Sequence, residues 1–295
     1  MVCVDGSGGC VTVGCVPECV EVQVVVDGLN TLPEFEVAAV HLSDAGAKKY
    51  ASAVSLVGAR FGRGCWSRHG KWLTAATVNG ADVLAHLRLA GTIRVYDRAS
   101  TGRHTHVQLQ ARTGDGATFV VALSDPRRFA TWQATDDAAA VVAAKCLGPD
   151  VLAAQVTSTH LCAAASGRRV PVKGLLLDQT VVAGLGNYLV DEVLFAARVH
   201  PGTSAGAVSV DEWDRVVFWM SAIAAASLRC GGLSMRDYVH VDGSRGWFGE
   251  QLVAYSRAGQ ACVRCCATLT RLVVAGRTTT VCQMCTPPPS SLLVV

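Results

Sequence analysis

Two pairs of cysteines near the carboxyl end constrain this chain more than any other feature, and they are Cys262, Cys265, Cys282 and Cys285. Each pair has the spacing Cys-x-x-Cys, which can turn a tight knuckle that directs two thiolates at one point. Four thiolates so placed suit one tetrahedral zinc ion. The residues between the pairs are rich in β-formers with one glycine turn, which predicts a two-stranded zinc ribbon. Cys266 leaves the register of the first pair open, and reduced cysteines without metal are the alternative.

The composition argues against several classes of protein. No run of about eighteen uncharged apolar residues occurs, so we expect no transmembrane helix. The first 16 residues contain neither Lys nor Arg, which is unlike a signal peptide. Because an intact thiolate site requires a reducing compartment, we expect a cytoplasmic protein. A net charge of +3 is too small to establish a nucleic-acid binder by itself.

The pattern of apolar residues and turn signals changes along the chain, as expected for two domains in 295 residues. Strand-like runs separated by turns extend from about Val37 to Ala134 and predict an antiparallel β-sandwich. Helical periodicity dominates from Asp136 to Arg229, so the fold class is α+β. The expected parts are an extension over 1–16, a sandwich flanked by helices over 17–135, a helical domain over 145–245, the ribbon over 251–286 and a disordered tail over 287–295.

A Gly-Leu-Gly segment, Gly184 to Gly186, lies in the middle of the helical region and is followed by Asn187. We expect one helix to end near Val182 and a second to begin at Asn187. Glycines before a helix start expose free N–H groups to an anion. Asn187 therefore either caps the second helix or hydrogen-bonds a phosphate, and an ordinary helical hairpin with an asparagine cap is the alternative.

Residues 184–195 resemble the helix–two-turn–helix of the formamidopyrimidine-DNA glycosylase family, the bacterial base-excision enzymes for oxidised purines, and of its endonuclease VIII relatives. The ribbon resembles the zinc finger of that family, and residues 68–72, 86–91 and 125–129 match three further motifs. The similarity runs from Pro17 to Cys285. It implies a monomeric, nucleoid-associated bacterial enzyme with one structural zinc ion. Its partner is double-stranded DNA that contains oxidised bases or abasic sites.

The resemblance also implies roles for individual residues. The catalytic positions of the family match Pro17 as nucleophile, Glu18 as general acid and base, Lys71 as proton donor for β-elimination and Arg277 as the group tied to δ-elimination. The phosphate-binding positions match His104, Arg127, Arg168, Lys173 and Asn187. The wedge that fills the base stack when a lesion flips out matches Leu89, Arg127 and Phe129. Each of these roles has a purely structural alternative. In that interpretation Leu89 and Phe129 are core residues, Lys71 is a solvated edge lysine and Arg277 is a turn residue.

One departure from the family bears on catalysis. The family uses an amino-terminal proline, whereas 16 residues precede Pro17. Inside a chain the proline nitrogen is a tertiary amide with no lone pair to offer. We favour the hypothesis that Val16 marks a GUG start codon and that removal of the initiator residue exposes Pro17. The alternatives are trimming by a protease, or a lesion-binding protein without lyase activity. A pyrimidine-directed enzyme is a further alternative, although residues 231–238 resemble the segment that covers 8-oxoguanine.

Overall fold

The structure is a computed structural model that describes residues 17–100, 102–234 and 238–289. The predicted extension over 1–16 and the last part of the predicted tail, 290–295, lie outside the described residues. An amino-terminal helix comes first, followed by a β-rich half, a helical half and a carboxyl-terminal hairpin. In the described part of the chain, no helix is both long and apolar enough to cross a membrane.

The β-rich half contains nine strands in the described ranges. They are β1 (Phe35–Leu42), β2 (Arg60–Phe61), β3 (Trp66–His69), β4 (Trp72–Ala75), β5 (Asp82–His86), β6 (Thr92–Tyr96), β7 (Thr105–Thr113), β8 (Thr118–Ser124) and β9 (Thr131–Thr135). One sheet has the order β2-β1-β7-β8-β6 and the other the order β3-β4-β5-β9, with antiparallel pairing throughout. The predicted antiparallel sandwich is confirmed.

The amino-terminal helix α1 (Cys19–Asn30) joins the two hydrophobic cores. Its side chains at Val22, Val25, Val26 and Leu29 recur at helical spacing and pack into the core between the sheets. Cys19 and Val20, in the first turn, belong instead to the core of the helical half. The start of α1 therefore lies at the seam between the two halves.

The helical half contains α2 (Ala138–Ala143), α3 (Ser158–Ala165), α4 (Val172–Leu177), α5 (Asn187–Ala197) and α6 (Val210–Arg229). The second helix of the predicted hairpin begins at Asn187, as expected. The first helix, α4, ends at Leu177, so its predicted end near Val182 is wrong. The Asp178 side chain accepts hydrogen bonds from the backbone N–H and the hydroxyl of Thr180, and this local turn competes with continuation of the helix.

The carboxyl-terminal hairpin consists of β10 (Thr270–Val274) and β11 (Arg277–Val281), paired antiparallel with Val274 opposite Arg277. Its two-residue loop, Ala275 and Gly276, has φ of 50° and 70°. Positive φ at both loop residues is the type I′ turn, whose twist matches that of the paired strands. The predicted two-stranded ribbon with a glycine turn is confirmed.

Candidate active site

The carboxyl group of Glu18 lies at the start of helix α5. Glu18 is 2% exposed. Its Oε2 accepts a hydrogen bond of 2.8 Å from the backbone N–H of Gly186, and its Oε1 accepts one of 2.9 Å from that of Tyr188. Glu18 therefore accepts hydrogen bonds from N–H groups at the start of α5, and of the two roles that the sequence left open for Asn187, the helix cap is excluded. The cap comes from a segment 168 residues away in the chain.

The two glycines before α5 allow this approach. A Cβ placed on Gly186 would overlap the carboxyl group of Glu18. Gly184 has φ of 103°, and a Cβ there would lie 2.7 Å from the Cβ of Cys19. The carbonyl of Gly184 also accepts a hydrogen bond of 3.1 Å from the N–H of Cys19. The Gly-Leu-Gly segment thus brings the starts of α1 and α5 together, with the buried Pro17 beside them.

The environment of Glu18 favours its protonated form. Burial raises its pKa from an ordinary 4.5 to about 8, against the charge of Lys71 and the helix N–H groups, which lower it. The neighbouring carboxyl group of Glu21 adds to the increase. At neutral pH most Glu18 side chains therefore carry a proton that they can donate, as a general acid requires.

A second buried carboxyl group, that of Glu21, supports the first. Its Oε2 accepts a hydrogen bond of 2.8 Å from the N–H of Glu18. Its Oε1 accepts hydrogen bonds from the Tyr188 hydroxyl at 2.9 Å and from the N–H of Leu233 at 2.7 Å. We did not single out Glu21 from the sequence, although the Glu-x-x-Glu spacing from Glu18 is a capping-box signal.

Lys71 occupies a two-residue turn, Gly70 and Lys71, between β3 and β4. The turn is held by Asp150, which accepts 2.5 and 2.8 Å hydrogen bonds from the Arg68 guanidinium and one of 2.7 Å from the N–H of Gly70. Lys71 is half-buried, and its charge lowers the pKa of Glu18. Lys71 therefore lies near Glu18 and is not an isolated edge lysine. The sequence did not indicate the part played by Asp150.

Asn187 and Arg277 meet where helix α5 contacts the hairpin. The Asn187 side chain donates a hydrogen bond of 3.0 Å to the carbonyl of Thr278, and Arg277 is the exposed residue before Thr278. The Oδ1 atom of Asn187 is buried and has no hydrogen-bond partner in the described structure. The structure thus brings two of the predicted site residues together through a single residue of β11.

Lys173 does not present its charge to solvent. It is 0% exposed, and its ammonium group donates to Asp191 at 2.5 Å, the Thr278 carbonyl at 3.2 Å and the Thr279 hydroxyl at 2.7 Å. An ammonium group has three hydrogens, so none remains for a phosphate. A buried carboxylate and the hairpin use all of the donors of Lys173 in this structure, and its phosphate-binding role stays a prediction.

The predicted wedge residues lie on two adjacent turns. Phe129 is 54% exposed and therefore is not a core residue, and Arg127 is exposed on the same loop. Leu89 is half-buried on the turn between β5 and β6. The two turns touch, since a Cβ on Gly91 would lie 2.8 Å from the Cβ of Ala130. One hydrogen bond connects this region to a further predicted residue, because the N–H of Asp125 donates at 2.9 Å to the carbonyl of the exposed His104.

The four cysteines of the two knuckles form one cluster, with every pair of sulfur atoms within 4.8 Å. The Cys262 and Cys285 sulfurs lie 3.9 Å apart, and those of Cys265 and Cys282 lie 3.4 Å apart. A zinc ion bound by four thiolates at about 2.3 Å places the sulfurs roughly 3.8 Å apart. The cluster therefore fits one tetrahedral metal ion. Cys266 is exposed and lies outside the cluster, which resolves the register.

Residues 16–132 match the family model "Formamidopyrimidine-DNA glycosylase N-terminal domain", and residues 147–239 match "Formamidopyrimidine-DNA glycosylase H2TH domain". The formamidopyrimidine-DNA glycosylase of Edwardsiella ictaluri is 35% identical over 219 residues, which cover 74% of this chain and 80% of the relative. The chain belongs to the formamidopyrimidine-DNA glycosylase family.

Two further comparisons agree with membership of the formamidopyrimidine-DNA glycosylase family. The enzyme of that name from Xanthomonas oryzae pv. oryzae is 36% identical over 221 residues, which cover 74% of this chain and 79% of the relative. Lactococcus lactis Fpg, solved in complex with DNA that contains an abasic site, superposes with a TM-score of 0.83 at 26% identity. That superposition covers 92% of this chain and 100% of the other.

Around Trp72 this member of the formamidopyrimidine-DNA glycosylase family gathers positive charge that we did not anticipate. Lys145 Nζ lies 4.2 Å and Arg88 Cζ lies 5.7 Å from the centroid of the Trp72 ring. The His86 ring packs edge-on at 4.8 Å, and burial, followed by the charges of Arg88, Lys71 and Lys145, lowers its pKa to about 3. None of these three cations has an ion-pair partner among the described residues. Such a cluster suits a polyanion.

Arg168 stands apart from the other predicted site residues. It is exposed on the segment between α3 and α4, and its carbonyl accepts hydrogen bonds from Gly206 at 3.0 Å and Ser204 at 3.2 Å. These contacts fix the backbone of the segment. In the described ranges, no contact joins the Arg168 side chain to the rest of the site.

Proposed function

We propose that this protein is a bifunctional DNA glycosylase and AP lyase that removes oxidised purines from double-stranded DNA. The observation that carries the proposal is the position of Glu18, which is buried beside Pro17, caps helix α5 and has a pKa of about 8. The names of the relatives support the class of substrate. Lactococcus lactis Fpg has been solved with DNA that contains Fapy-dG and with DNA that contains an abasic site.

The first reaction replaces the glycosidic bond. A free prolyl nitrogen at Pro17 is a secondary amine, and α-amino groups have a pKa of about 8, so a useful fraction is unprotonated at neutral pH. Its lone pair attacks C1′ of the damaged nucleotide and the bond from C1′ to the base breaks. The departing base takes the bonding electron pair and the proton that the prolyl nitrogen loses. Protonated Glu18 donates its proton to the sugar ring oxygen as the ring opens. The product is an iminium ion that joins C1′ to the Pro17 nitrogen.

The second reaction cuts the strand. Loss of a proton from C2′ of the iminium expels the phosphate on the 3′ side, which is β-elimination. Loss of the C4′ proton then expels the phosphate on the 5′ side, which is δ-elimination. Lys71, whose charge lowers the pKa of Glu18, is the proton donor for β-elimination. Arg277, at the exposed tip of the hairpin, assists δ-elimination.

Several exposed residues hold the DNA in this proposal. Contacts to phosphates come from His104, Arg127, Arg168 and Asn187, whereas Lys173 acts from the interior. Leu89, Arg127 and Phe129 fill the stack when the lesion flips out. The exposure of Phe129 and the contact between the two turns that carry these residues support this assignment.

The metal in this proposal is one structural zinc ion, held by Cys262, Cys265, Cys282 and Cys285. Zinc bound by four thiolates fixes a fold and leaves no open position for catalysis. The three proposed working parts are the sandwich over 17–135, the helical domain over 145–245 and the finger over 251–286. The protein acts as a monomer in the bacterial cytoplasm, next to the nucleoid.

Two other functions are open to test. If Pro17 keeps its amide bond to Val16, the chain binds lesions without forming the iminium, because an amide nitrogen is not a nucleophile. A second candidate is excision of oxidised pyrimidines, since Lactococcus lactis Fpg has also been solved with an oxidised pyrimidine containing DNA. The resemblance of residues 231–238 to the segment of the family that covers 8-oxoguanine favours purines as the substrate. Within this segment, residues 235–237 lie outside the described residues.

Borohydride trapping tests the proposal. The full chain and a form that begins at Pro17 are each incubated with duplexes that carry 8-oxoguanine, thymine glycol or an abasic site. We expect a covalent adduct from the form that begins at Pro17, with 8-oxoguanine preferred over thymine glycol. An intact mass of the native protein shows which form exists in cells. Binding without any adduct from either form would favour the lesion-binding function instead.

A further inference from the structure

A fully buried ion pair connects the helical half to the hairpin. Lys173 on α4 and Asp191 on α5 lie 2.5 Å apart, and their side chains are 0% and 1% exposed. The second carboxylate oxygen of Asp191 accepts a hydrogen bond of 3.2 Å from the N–H of Thr280 on β11. The pair therefore joins the consecutive helices α4 and α5 to β11, where Thr280 lies 89 residues beyond Asp191.

The contacts of the pair converge on the residues that follow Arg277. Lys173 Nζ donates to the carbonyl of Thr278 and to the hydroxyl of Thr279. The same Thr279 hydroxyl donates a hydrogen bond of 3.1 Å to the carbonyl of Arg277. The Thr278 carbonyl also accepts the hydrogen bond from Asn187. A displacement of Lys173 would therefore move Arg277 and Asn187 together.

Stability alone is a weak explanation for this arrangement. Removing two charges from water is costly, and well-packed apolar residues of similar size often stabilise a protein as well as a buried ion pair does. Apolar side chains lack hydrogen-bond donors, so they could not direct the Thr278 carbonyl and the Thr279 hydroxyl. The ion pair supplies directed bonds to the hairpin that packing cannot supply.

We propose that Lys173 and Asp191 are positioning residues that hold Arg277 and Asn187 in register at the DNA backbone. The proposal rests on the function proposed above, in which Arg277 serves δ-elimination. Lys173 itself does not touch DNA in the proposed arrangement, although its loss impairs one step of the reaction. Base excision depends on Pro17 and Glu18, and the hydrogen bonds of the Glu18 carboxyl group go to Gly186, Tyr188 and Leu189 and not to the ion pair. It should therefore be affected less than δ-elimination.

The variants Lys173→Met and Lys173→Met/Asp191→Leu test the pair. The single variant leaves a buried carboxylate without its cation and should lower the melting temperature. The double variant removes both charges, so its melting temperature should return towards that of the wild type. We expect δ-elimination to stay about tenfold to a hundredfold slower than β-elimination in the double variant, because a displacement near 1 Å suffices for such a loss.

The melting temperature and the ratio of elimination products together decide whether the ion pair positions Arg277 or only stabilises the packing. Recovery of both the melting temperature and the wild-type product ratio in the double variant overturns the proposal. Recovery of the melting temperature with a persistent excess of β-elimination product supports it. Arg215→Met is the matched control, since Arg215 pairs with Glu212 at 4.0 Å on an exposed face of α6. This variant should keep the wild-type product ratio.

A second measurement separates this proposal from the function on which it rests. If the wild-type protein forms no adduct and cuts no strand, the proposed function fails. Hydrogen exchange of the amides of residues 277–281 in the full chain still reports on the pair. We expect exchange at least about tenfold faster in the double variant than in the wild type, since local opening controls these rates. Unchanged exchange would overturn the positioning role.

Discussion

The backbone N–H of Tyr188 donates a hydrogen bond of 2.9 Å to the carboxyl group of Glu18, although 170 residues separate the two in the chain. This bond fixes the proposed general acid at the start of α5. The same helix start follows the glycines that allow close approach of Glu18, and it carries Asn187, which faces the hairpin. The helix cap and the candidate catalytic group are thus one side chain.

Glu18→Gln should separate base excision from reaction at a preformed abasic site. The amide keeps one acceptor for the helix N–H groups but carries no acidic proton, so excision of 8-oxoguanine should fall by about a hundredfold or more. Borohydride trapping on abasic DNA should fall much less, because the sugar of an abasic site is a hemiacetal that opens to its aldehyde without a proton from Glu18. Single-turnover kinetics on both duplexes measure the difference. The exposed Glu250 supplies the control Glu250→Gln, and equal losses on both substrates would contradict the assignment.

The stability of the protein should depend on pH through Glu18. Its folded-state pKa of about 8 lies above the ordinary value of 4.5, so the folded state holds a proton that the unfolded state releases. The resulting stabilisation is fully present below pH 4.5 and is lost as pH rises through about 8. Urea unfolding across this pH range should show that the free energy of unfolding falls more steeply with pH for the wild type than for Glu18→Gln. Identical pH profiles would mean that Glu18 titrates normally.

Removal of zinc should abolish DNA binding before it unfolds the sandwich. The four cysteines hold the hairpin that carries Arg277, whereas the core between the sheets has no contribution from them. Band-shift titrations and circular dichroism after chelation measure the two effects. Cys265→Ala should lose the metal, while Cys266→Ala, outside the cluster, should keep it. Equal DNA affinity with and without metal would argue against a role for the finger in binding.

Phe129→Ala should impair lesion capture with little effect on folding. Because the side chain is 54% exposed, we expect the free energy of unfolding to change by less than about 1 kcal/mol. Excision from duplex DNA should slow, since the wedge no longer fills the emptied stack. Phe218→Ala, at a position 64% exposed on α6, is the matched control and should excise normally. Similar excision rates for the two variants would show that Phe129 is an ordinary surface residue without a role in lesion capture.

Lys145→Ala should reduce the salt dependence of DNA binding. Lys145 lies over the Trp72 ring beside two further cations without acidic partners. Loss of one phosphate contact lowers the slope of log affinity against log salt by about 1. The exposed Lys48 supplies the control Lys48→Ala, which should keep the wild-type slope. Parallel titrations of both variants at several salt concentrations give the answer.

Local patterns in the sequence sufficed for a large part of the fold. The spacing of the four cysteines, the β-rich segment with a glycine turn between them and the start of a helix at Asn187 all depend on residues close together in the chain. Such features follow from backbone geometry and from metal coordination, which neighbouring residues largely determine. The motifs that place the chain in its family are of the same local kind.

The sequence did not determine which partners the polar residues would find. The resemblance to the family implied a phosphate-binding role for Lys173, whereas its burial depends on Asp191 and on a hairpin more than 100 residues away. The sequence left open whether Asn187 caps its own helix or binds a phosphate, and in the structure the carboxyl group of Glu18 provides the cap. Asp178 ends α4 early through a local turn that the apolar pattern alone did not reveal.

The amino-acid sequence by itself therefore determined the α+β architecture, the four-cysteine cluster and the residue types from which the site is built. Only the tertiary structure decided that Glu18 caps α5 and that the buried Lys173 donates hydrogen bonds to the hairpin. The physical reason is that hydrogen bonds and ion pairs between distant segments depend on the packing of both cores. Helix α1 contributes to both of these cores, and for that reason its first turn lies at the seam where the site forms.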